Sequence, residues 1–285
     1  MCGIAGLHLR DPELYPQLGA LLQAMLGQAA ERGTDAAGVG LYRDPPAGLS
    51  TVCVVDAPAG AVVPGADAVT MGQTTVFTAS VPPSELEARV RLALPDAVLT
   101  SRGTHLSVLK GTGHPHALAE TFDLASARGY QGVAHTRMAT ESAVTSTGSH
   151  PYSVGPDQCM VHNGSFANHA TIRRALRASG VVFDSENDTE VGARFVAQQL
   201  ADGADVEKAL RLLCERFDGF YTLLVATSNS FAVVRDAIAC KPAVIAETDR
   251  WVAMASEYRY LTGLPGISTA RIFEPEPEVV YVWER

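Results

Sequence analysis

Residues 2–9 read Cys2-Gly3-Ile4-Ala5-Gly6-Leu7-His8-Leu9 and directly follow Met1. Small and apolar residues in such a run predict a buried strand. Methionine is normally removed before a small residue, which would give Cys2 a free α-amino group. An unperturbed α-amino group has a pKa of about 7.7–8.0, so part of it is unprotonated near neutral pH. That amine can take the thiol proton, and Cys2 then combines nucleophile and base. The alternative, which Cys2 alone favours, is a chance Met-Cys start to an ordinary strand.

Helical and strand patterns alternate along the rest of the chain. Apolar residues from Leu18 to Ala29 recur at helical spacing and predict an amphipathic helix. Ser84 with Glu87 forms a capping-box pattern before another helix. Residues typical of N-caps precede three later helices: Asn168, Asp188 and Asp205. Runs of strands interrupted by these grouped helices predict an α+β fold, with layered antiparallel sheets covered by helices.

The composition favours one folded domain. The 285 residues are 47% hydrophobic and 19% charged, which supplies enough apolar residues for a buried core. A prior of roughly 150 residues per domain would suggest two domains, but no linker-like stretch divides the chain. The net charge of −9 disfavours nucleic acid and anionic membranes as partners. No apolar run reaches the roughly 18–20 residues of a membrane span, and no signal-peptide pattern is present.

The cysteines and histidines argue against disulfides and metals. Five widely spaced cysteines contain no C-x-x-C pair, and a reducing compartment, the cytoplasm, fits them best. His114 and His116 could ligate a metal, but no Cys or acidic partner lies at ligand spacing. The segment Lys110-Gly111-Thr112-Gly113 could cradle a phosphate, although a glycine-rich turn is the simpler interpretation. We therefore expect no metal and no cofactor in this chain.

Six segments occur in the same order as motifs of the class II glutamine amidotransferases and resemble them. They are Cys2-Gly3-Ile4-Ala5-Gly6, Arg32-Gly33-Thr34-Asp35-Ala36-Ala37-Gly38, His135-Thr136-Arg137-Met138-Ala139-Thr140, Val161-His162-Asn163-Gly164, Asn187-Asp188-Thr189-Glu190, and Arg235-Asp236 with Lys241-Pro242. Each segment is weak evidence alone, but together they identify the chain as a member of this family. One departure from the last motif is Ala239, which stands where glycine is usual.

The resemblance implies a four-layer αββα sandwich of the N-terminal-nucleophile hydrolase type. We expect one domain over residues 1–285, with a family-atypical insertion at about 43–130. The insertion is inferred because Gly38 and His135 lie 97 positions apart (135 − 38), wider than in compact family members.

The resemblance also implies catalytic roles for three residues. Cys2 would attack the amide of glutamine. The side-chain amide of Asn163 and the backbone N–H of Gly164 would form the oxyanion hole, and losing one such donor typically costs about 100- to 1,000-fold in rate. Taken alone, Asn163-Gly164 could equally be a hairpin turn, and the neighbouring His162 is most simply a buried, hydrogen-bonded histidine.

Three further residues would bind the substrate. Arg137 would hold the α-carboxylate through two parallel hydrogen bonds, and Asp188 would pair with the α-ammonium. Thr140 would supply a hydroxyl at the substrate end of the pocket. Alone, Arg137 could be a surface ion pair and Asp188 only a helix cap. Glu141 stands where some relatives have histidine, and it would add a negative charge near the pocket.

Similarity within the family suggests a partner. The segments HTRMATESAVTS, DQCMVHNGS, RDAIACKPAV and AETD resemble the separate amidotransferase-like subunit of N-methylglutamate synthase and of split glutamate-synthase-like complexes. In such complexes FMN and iron–sulfur clusters belong to other subunits, and no region that would use the ammonia follows the glutaminase-like part of this sequence. We therefore expect a hetero-oligomer that contains a flavin-dependent, glutamate-synthase-like subunit.

Two functions remain open from the sequence, and a third is disfavoured. The chain could hydrolyse glutamine and pass on ammonia, or it could be a catalytically silent regulatory or structural subunit that binds glutamate or a related amino acid. Retention of the motif residues favours the first, and Glu141 leaves room for the second. A hydrolase of peptides or other amides is disfavoured, because Arg137 and Asp188 match a free amino acid.

Overall fold

Two antiparallel sheets form the centre of the molecule. The computed structural model describes residues 2–138 and 143–285, which contain 15 strands and six α-helices that we number along the chain. The large sheet has seven strands in the spatial order β14 (Arg271–Phe273), β12 (Val244–Glu247), β13 (Trp251–Ala255), β1 (Gly3–Leu9), β8 (Gln131–Arg137), β2 (Ala36–Tyr42) and β7 (Leu106–Thr112). The small sheet has four strands in the order β15 (Tyr281–Glu284), β11 (Ser230–Arg235), β10 (Gly219–Thr227) and β9 (Gln158–Phe166).

The two sheets face each other across an apolar core. Ile4 and Val133 from the large sheet are fully buried there with Val161 and Leu224 from the small sheet. Gly6 allows this close approach, because a Cβ atom at Gly6 would collide with the side chain of Leu224. Within the small sheet, β10 and β11 are consecutive strands and pair as an antiparallel hairpin.

Helices cover both outer faces. The large sheet packs against α1 (Leu18–Ala29) and α3 (Pro115–Thr121), and the small sheet against α4 (His169–Ala178), α5 (Asp188–Ala201) and α6 (Val206–Arg216). The predicted α+β fold with an αββα layer order is therefore confirmed. Across the two described ranges, no helix combines the length and apolar character needed to cross a bilayer.

A third sheet lies beside this sandwich. Its four strands have the order β4 (Asp67–Met71), β5 (Thr74–Ala79), β3 (Ser50–Val55) and β6 (Val98–Gly103), and α2 (Pro83–Ala93) packs on it. The sheet has its own core around Val52, Phe77 and Leu86. Other parts of the segment 43–130, namely β7 and α3, belong to the main layers. That this segment is an insertion within the family stays a prediction.

Two predicted helix starts are wrong in detail. The capping box at Ser84 does not form; α2 begins at Pro83 after Pro82, because a proline at the first helical position is already in the helical conformation. Asp188 is the first residue of α5 instead of its cap, since Asn187 is an equally good cap and its Oδ1 accepts the N–H of Thr189 at 2.9 Å. This one-residue shift leaves the Asp188 carboxylate available for other contacts.

Asp157 ties the turn between β6 and β7 to the segment that precedes β9. Its Oδ1 accepts the backbone N–H groups of Thr104, His105 and Leu106 at 3.0, 2.8 and 2.9 Å. Its φ of 51° lies in the left-handed region, which aspartate tolerates better than most residues. The Asp157 carboxylate therefore satisfies three backbone N–H groups at this turn.

We expect Asp157→Ala to lower the free energy of unfolding by about 3 kcal/mol or more, because three backbone N–H groups lose a charged acceptor and each such bond contributes about 1.5–3 kcal/mol. Asp205→Ala is the matched control. Asp205 also accepts a backbone N–H, that of Lys208 at 2.7 Å, but only as an N-cap worth about 1 kcal/mol. Urea denaturation of both variants measures the difference, and equal losses would contradict the role given to Asp157.

Candidate active site

The pairing of β1 with β8 brings two predicted site residues to the same end of the large sheet. Gly3 pairs with Thr136 in the antiparallel register, so Cys2 lies opposite Arg137. The N–H of Gly3 also donates to the Thr136 hydroxyl at 3.1 Å, which fixes the first peptide of the strand. Cys2 is half-buried and Arg137 is 5% exposed.

Strand alternation directs both side chains into the space between the sheets. Ile4 lies in the inter-sheet core, whereas a Cβ atom at Gly3 would lie 3.1 Å from Ala29 of α1, so Cys2 faces the small sheet. On β8, the Nε2 atom of His135 reaches across to the small sheet, and Arg137, two residues on, shares that face. The predicted nucleophile and carboxylate-binding residue are therefore neighbours.

Asn163 faces the same space from β9. Val161, two residues earlier, lies in the inter-sheet core, and Asn163 is 3% exposed. Its side-chain Nδ2 is buried and has no hydrogen-bond partner within the described residues. A buried amide N–H without an acceptor is costly, at about 1–3 kcal/mol, unless a ligand supplies one. The amide is thus a donor directed toward the end of the inter-sheet space.

Gly164 lies on the open edge of β9. The N–H and C=O of Tyr221, its partner on β10, both bond to Asp236, so Gly164 and Tyr221 are a non-hydrogen-bonded pair. The N–H of Gly164 therefore points away from β10. Its φ of 147° and the close approach of the Phe220 carbonyl oxygen both require glycine.

Asp188 borders this edge from the start of α5. Its Oδ2 accepts the N–H of Phe166 at 2.8 Å, and its Oδ1 lies 3.9 Å from Nδ1 of His162. The carboxylate therefore spans the Asn163–Gly164 stretch of β9. Its side chain is 22% exposed, so it can contact a ligand.

A loop before β9 lies between Asp188 and Arg137. The carbonyl of Gly148 accepts the Nδ2 of Asn187 at 3.4 Å, and a Cβ atom at Gly148 would lie 3.0 Å from Nη1 of Arg137. The Ser146 hydroxyl of this loop donates to the Asp56 carboxylate of the third sheet. The structure thus brings Cys2, Arg137, Asn163, Gly164 and Asp188 together. Thr140 and Glu141 lie outside the described residues.

Arg32 fixes the backbone of Cys2, a contact that the sequence did not specify. Its Nε donates to the Cys2 carbonyl oxygen at 3.0 Å, and its Nη1 bonds to Glu257 at 2.7 Å. The Oγ of Ser256 accepts the N–H of Ile4 at 2.9 Å. Glu257 and Ser256 were missed because they are far from Cys2 in sequence and lie in no recognised motif.

Lys110 holds the loop before β9, a role that the sequence did not predict. It lies in β7, and its buried Nζ donates to the carbonyls of Ser149 and Pro151 at 2.8 and 3.3 Å. Burial lowers the pKa of this ammonium to about 7. Both interpretations of the segment Lys110-Gly111-Thr112-Gly113, the glycine-rich turn and the phosphate cradle, are wrong, because Lys110–Thr112 is strand and the N–H of Thr112 already bonds to Gln73 at 2.5 Å.

The histidine pair of the sequence has a structural role. Nδ1 of His114 caps α3 by accepting the N–H of His116 at 3.3 Å. In residues 2–138 and 143–285, no group of three or more His, Cys, Asp or Glu side chains is arranged to hold a metal ion.

Comparisons with known proteins decide the family. Residues 135–263 match the model of the glutamine amidotransferase domain family. The glutamine amidotransferase-like protein GlxB of Rhizobium meliloti (strain 1021) is 44% identical over 100% of this chain and 98% of its own length. This chain belongs to the class II glutamine amidotransferases. A putative glutamine amidotransferase of Methanothermobacter thermautotrophicus is a further relative of this family member, 30% identical over 100% of both chains.

A solved structure agrees with the fold of this family member. The glutamine phosphoribosylpyrophosphate amidotransferase from B. subtilis superposes with a TM-score of 0.65 at 16% identity. The superposition covers 99% of this chain but 49% of that enzyme, so the chain corresponds to about half of it. At this identity the likeness concerns the fold alone.

Proposed function

We propose that the chain is a glutaminase subunit that hydrolyses glutamine through Cys2 and delivers ammonia to a partner. One observation carries the proposal: the buried Nδ2 of Asn163, which has no hydrogen-bond partner among residues 2–138 and 143–285, lies at the end of the inter-sheet space that Cys2 and Arg137 also face. An oxyanion is the acceptor that such a donor lacks.

The chemistry follows from the arrangement. After loss of Met1, the α-amino group of Cys2 takes the thiol proton, and the thiolate attacks the amide carbon of glutamine. The Asn163 amide and the Gly164 N–H stabilise the resulting oxyanion. The intermediate collapses to a thioester as the leaving nitrogen takes the proton and departs as ammonia. Water then attacks the thioester, and glutamate and the free thiol are released.

Substrate recognition uses charges on both sides of this centre. Arg137 binds the α-carboxylate of glutamine with its planar guanidinium, and Asp188 binds the α-ammonium. The proposed contacts fit the positions of these residues, at the end of β8 and the start of α5. Thr140 contributes a hydroxyl in this proposal.

The proposed partner is a flavin-containing, glutamate-synthase-like subunit, as in N-methylglutamate synthase, with FMN and iron–sulfur clusters in the partner. Several large apolar residues are exposed and support docking of a protein. They are Met138, Val144, Phe220, Ile238 and Tyr258. Delivery into a bound partner would also keep ammonia from escaping into solvent.

We expect Cys2→Ala to abolish glutamine hydrolysis and the active protein to lack Met1, because the mechanism needs both the thiol and the free amine. A glutaminase assay and the intact mass of the purified chain check this. An active enzyme that retains Met1, or undiminished turnover in Cys2→Ala, contradicts the mechanism. Glutamate binding without turnover in the wild type would instead assign a regulatory role.

We expect Arg137→Lys and Asp188→Asn to raise KM for glutamine by about tenfold with little change in kcat, because each contact to a charged group contributes about 1.5–3 kcal/mol in ground and transition states alike. Asn163→Ala should instead lower kcat about 100- to 1,000-fold, since its bond strengthens as the oxyanion forms. Steady-state kinetics with the opposite assignment would refute these roles.

We expect a hetero-complex to co-purify from the native source and to raise glutaminase activity. Ile238→Ser should weaken that association, because Ile238 is 70% exposed in the loop that follows β11. Val182→Ser, at a residue 72% exposed between α4 and α5, is the matched control. A monomer that turns over glutamine rapidly and gains nothing from any co-purifying protein rules out the partner.

A further inference from the structure

The hydroxyl of Thr189 lies between two buried histidines. Thr189 is the second residue of α5 and is 1% exposed. Its Oγ1 is 2.9 Å from Nε2 of His150 and 2.8 Å from Nδ1 of His162, which come from the loop before β9 and from β9 itself. A third polar atom, Oδ1 of Asp188, lies 3.5 Å away. One hydroxyl with a single proton therefore has three polar neighbours.

The histidines around this hydroxyl are neutral. Burial lowers the pKa of His150 well below its ordinary value and also lowers the pKa of His162. His135 stacks on His150 with ring centroids 4.0 Å apart, and burial lowers the pKa of His135 to about 3. Each ring consequently carries one N–H.

The surroundings decide which nitrogen carries that proton. Nδ1 of His150 and Nε2 of His162 are buried and have no hydrogen-bond partner in the described part of the chain. A proton on either atom would leave a buried N–H unsatisfied, at a cost of about 1–3 kcal/mol. The protons therefore lie on the nitrogens that face Thr189, and the hydroxyl accepts twice. Its own proton is left for the remaining acceptor, Asp188.

We propose that Thr189 is a positioning residue, whose hydroxyl, fixed by His150 and His162, directs its proton to Asp188 and holds that carboxylate for the α-ammonium of the substrate. Asp188 is then held at both oxygens, since Oδ2 accepts the N–H of Phe166 at 2.8 Å. The inference rests on the proposed function, because it assigns Asp188 to substrate binding.

The same hydroxyl connects both halves of the substrate site. His150 belongs to the loop whose Gly148 lies against the Arg137 guanidinium. Displacing His150 would therefore disturb the carboxylate-binding side, while loss of the hydroxyl acts first on the ammonium-binding side. The two effects can be separated with a substrate that lacks the α-amino group.

Thr189→Val and Thr189→Ser form the test. Valine keeps the shape and removes the hydroxyl, so KM for glutamine should rise about tenfold, or about 1.4 kcal/mol, with kcat within about twofold. Serine keeps the hydroxyl and should stay within about threefold of wild type in KM. For glutaramate, which is glutamine without its α-amino group, KM should be the same in the valine variant and in wild type.

Thr100→Val is the control for removing a buried threonine hydroxyl, because Thr100 is 2% exposed in β6 of the third sheet. It should leave KM for glutamine unchanged. A wild-type KM in Thr189→Val, or an equal rise for glutamine and glutaramate, would overturn the positioning role.

Histidine ¹⁵N spectra test the hydrogen-bond network without any turnover. We expect the Nε2–H form of His150 and the Nδ1–H form of His162, and Thr189→Val should shift both signals but not that of His8 in β1. The opposite protonation overturns the inference even if glutamine is hydrolysed. If the wild type shows these protonation states and has no glutaminase activity, the proposed function fails. Calorimetric binding of glutamate against glutarate in Thr189→Val then decides the positioning role.

Discussion

The open edge of β9 is the constraint on which the site depends. Antiparallel pairing with β10 leaves the His162 carbonyl and the N–H groups of Gly164 and Phe166 pointing outward from the sheet. Nε2 of His135 donates to the His162 carbonyl at 3.1 Å, and Asp188 accepts the Phe166 N–H at 2.8 Å. The Gly164 N–H lies between them and also points outward, so an edge that could have taken another strand instead presents this donor to a ligand.

Buried basic side chains hold the loops around this edge. Lys110 gathers carbonyls from the loop before β9, and Arg173 donates to the carbonyls of Ser185 and Asn187 at 2.7 and 2.9 Å. Arg235 does the same for Lys241, at 3.0 Å. A buried basic group is costly unless it is hydrogen-bonded. Each of these side chains therefore stabilises the loop whose carbonyls it contacts. Rigid strands and fixed loops together define the pocket walls.

The local sequence pattern predicted the fold well, but it could not predict contacts between residues that are far apart in the sequence. The β1 strand, the α1 helix and the presence of antiparallel sheets covered by helices follow from apolar spacing, which is a property of neighbouring residues, whereas the αββα layer order came from the family resemblance. The contacts of Arg32 with Glu257 and of Lys110 with Ser149 join separate segments, and no local spacing encodes them. The Asp188 cap was wrong by one residue, because Asn187 and Asp188 are equally good caps and only the Phe166 N–H distinguishes them.

The bond between Ser146 and Asp56 joins the third sheet to the loop beside Arg137. Regions with separate cores can unfold separately and at a lower free-energy cost than the whole molecule. The third sheet has such a core, and its opening would release Ser146 while the two facing sheets stay intact. Opening of the third sheet would then leave the loop held by its contacts with Lys110 and Asn187, so the pocket would lose one of its supports while the two facing sheets stay folded.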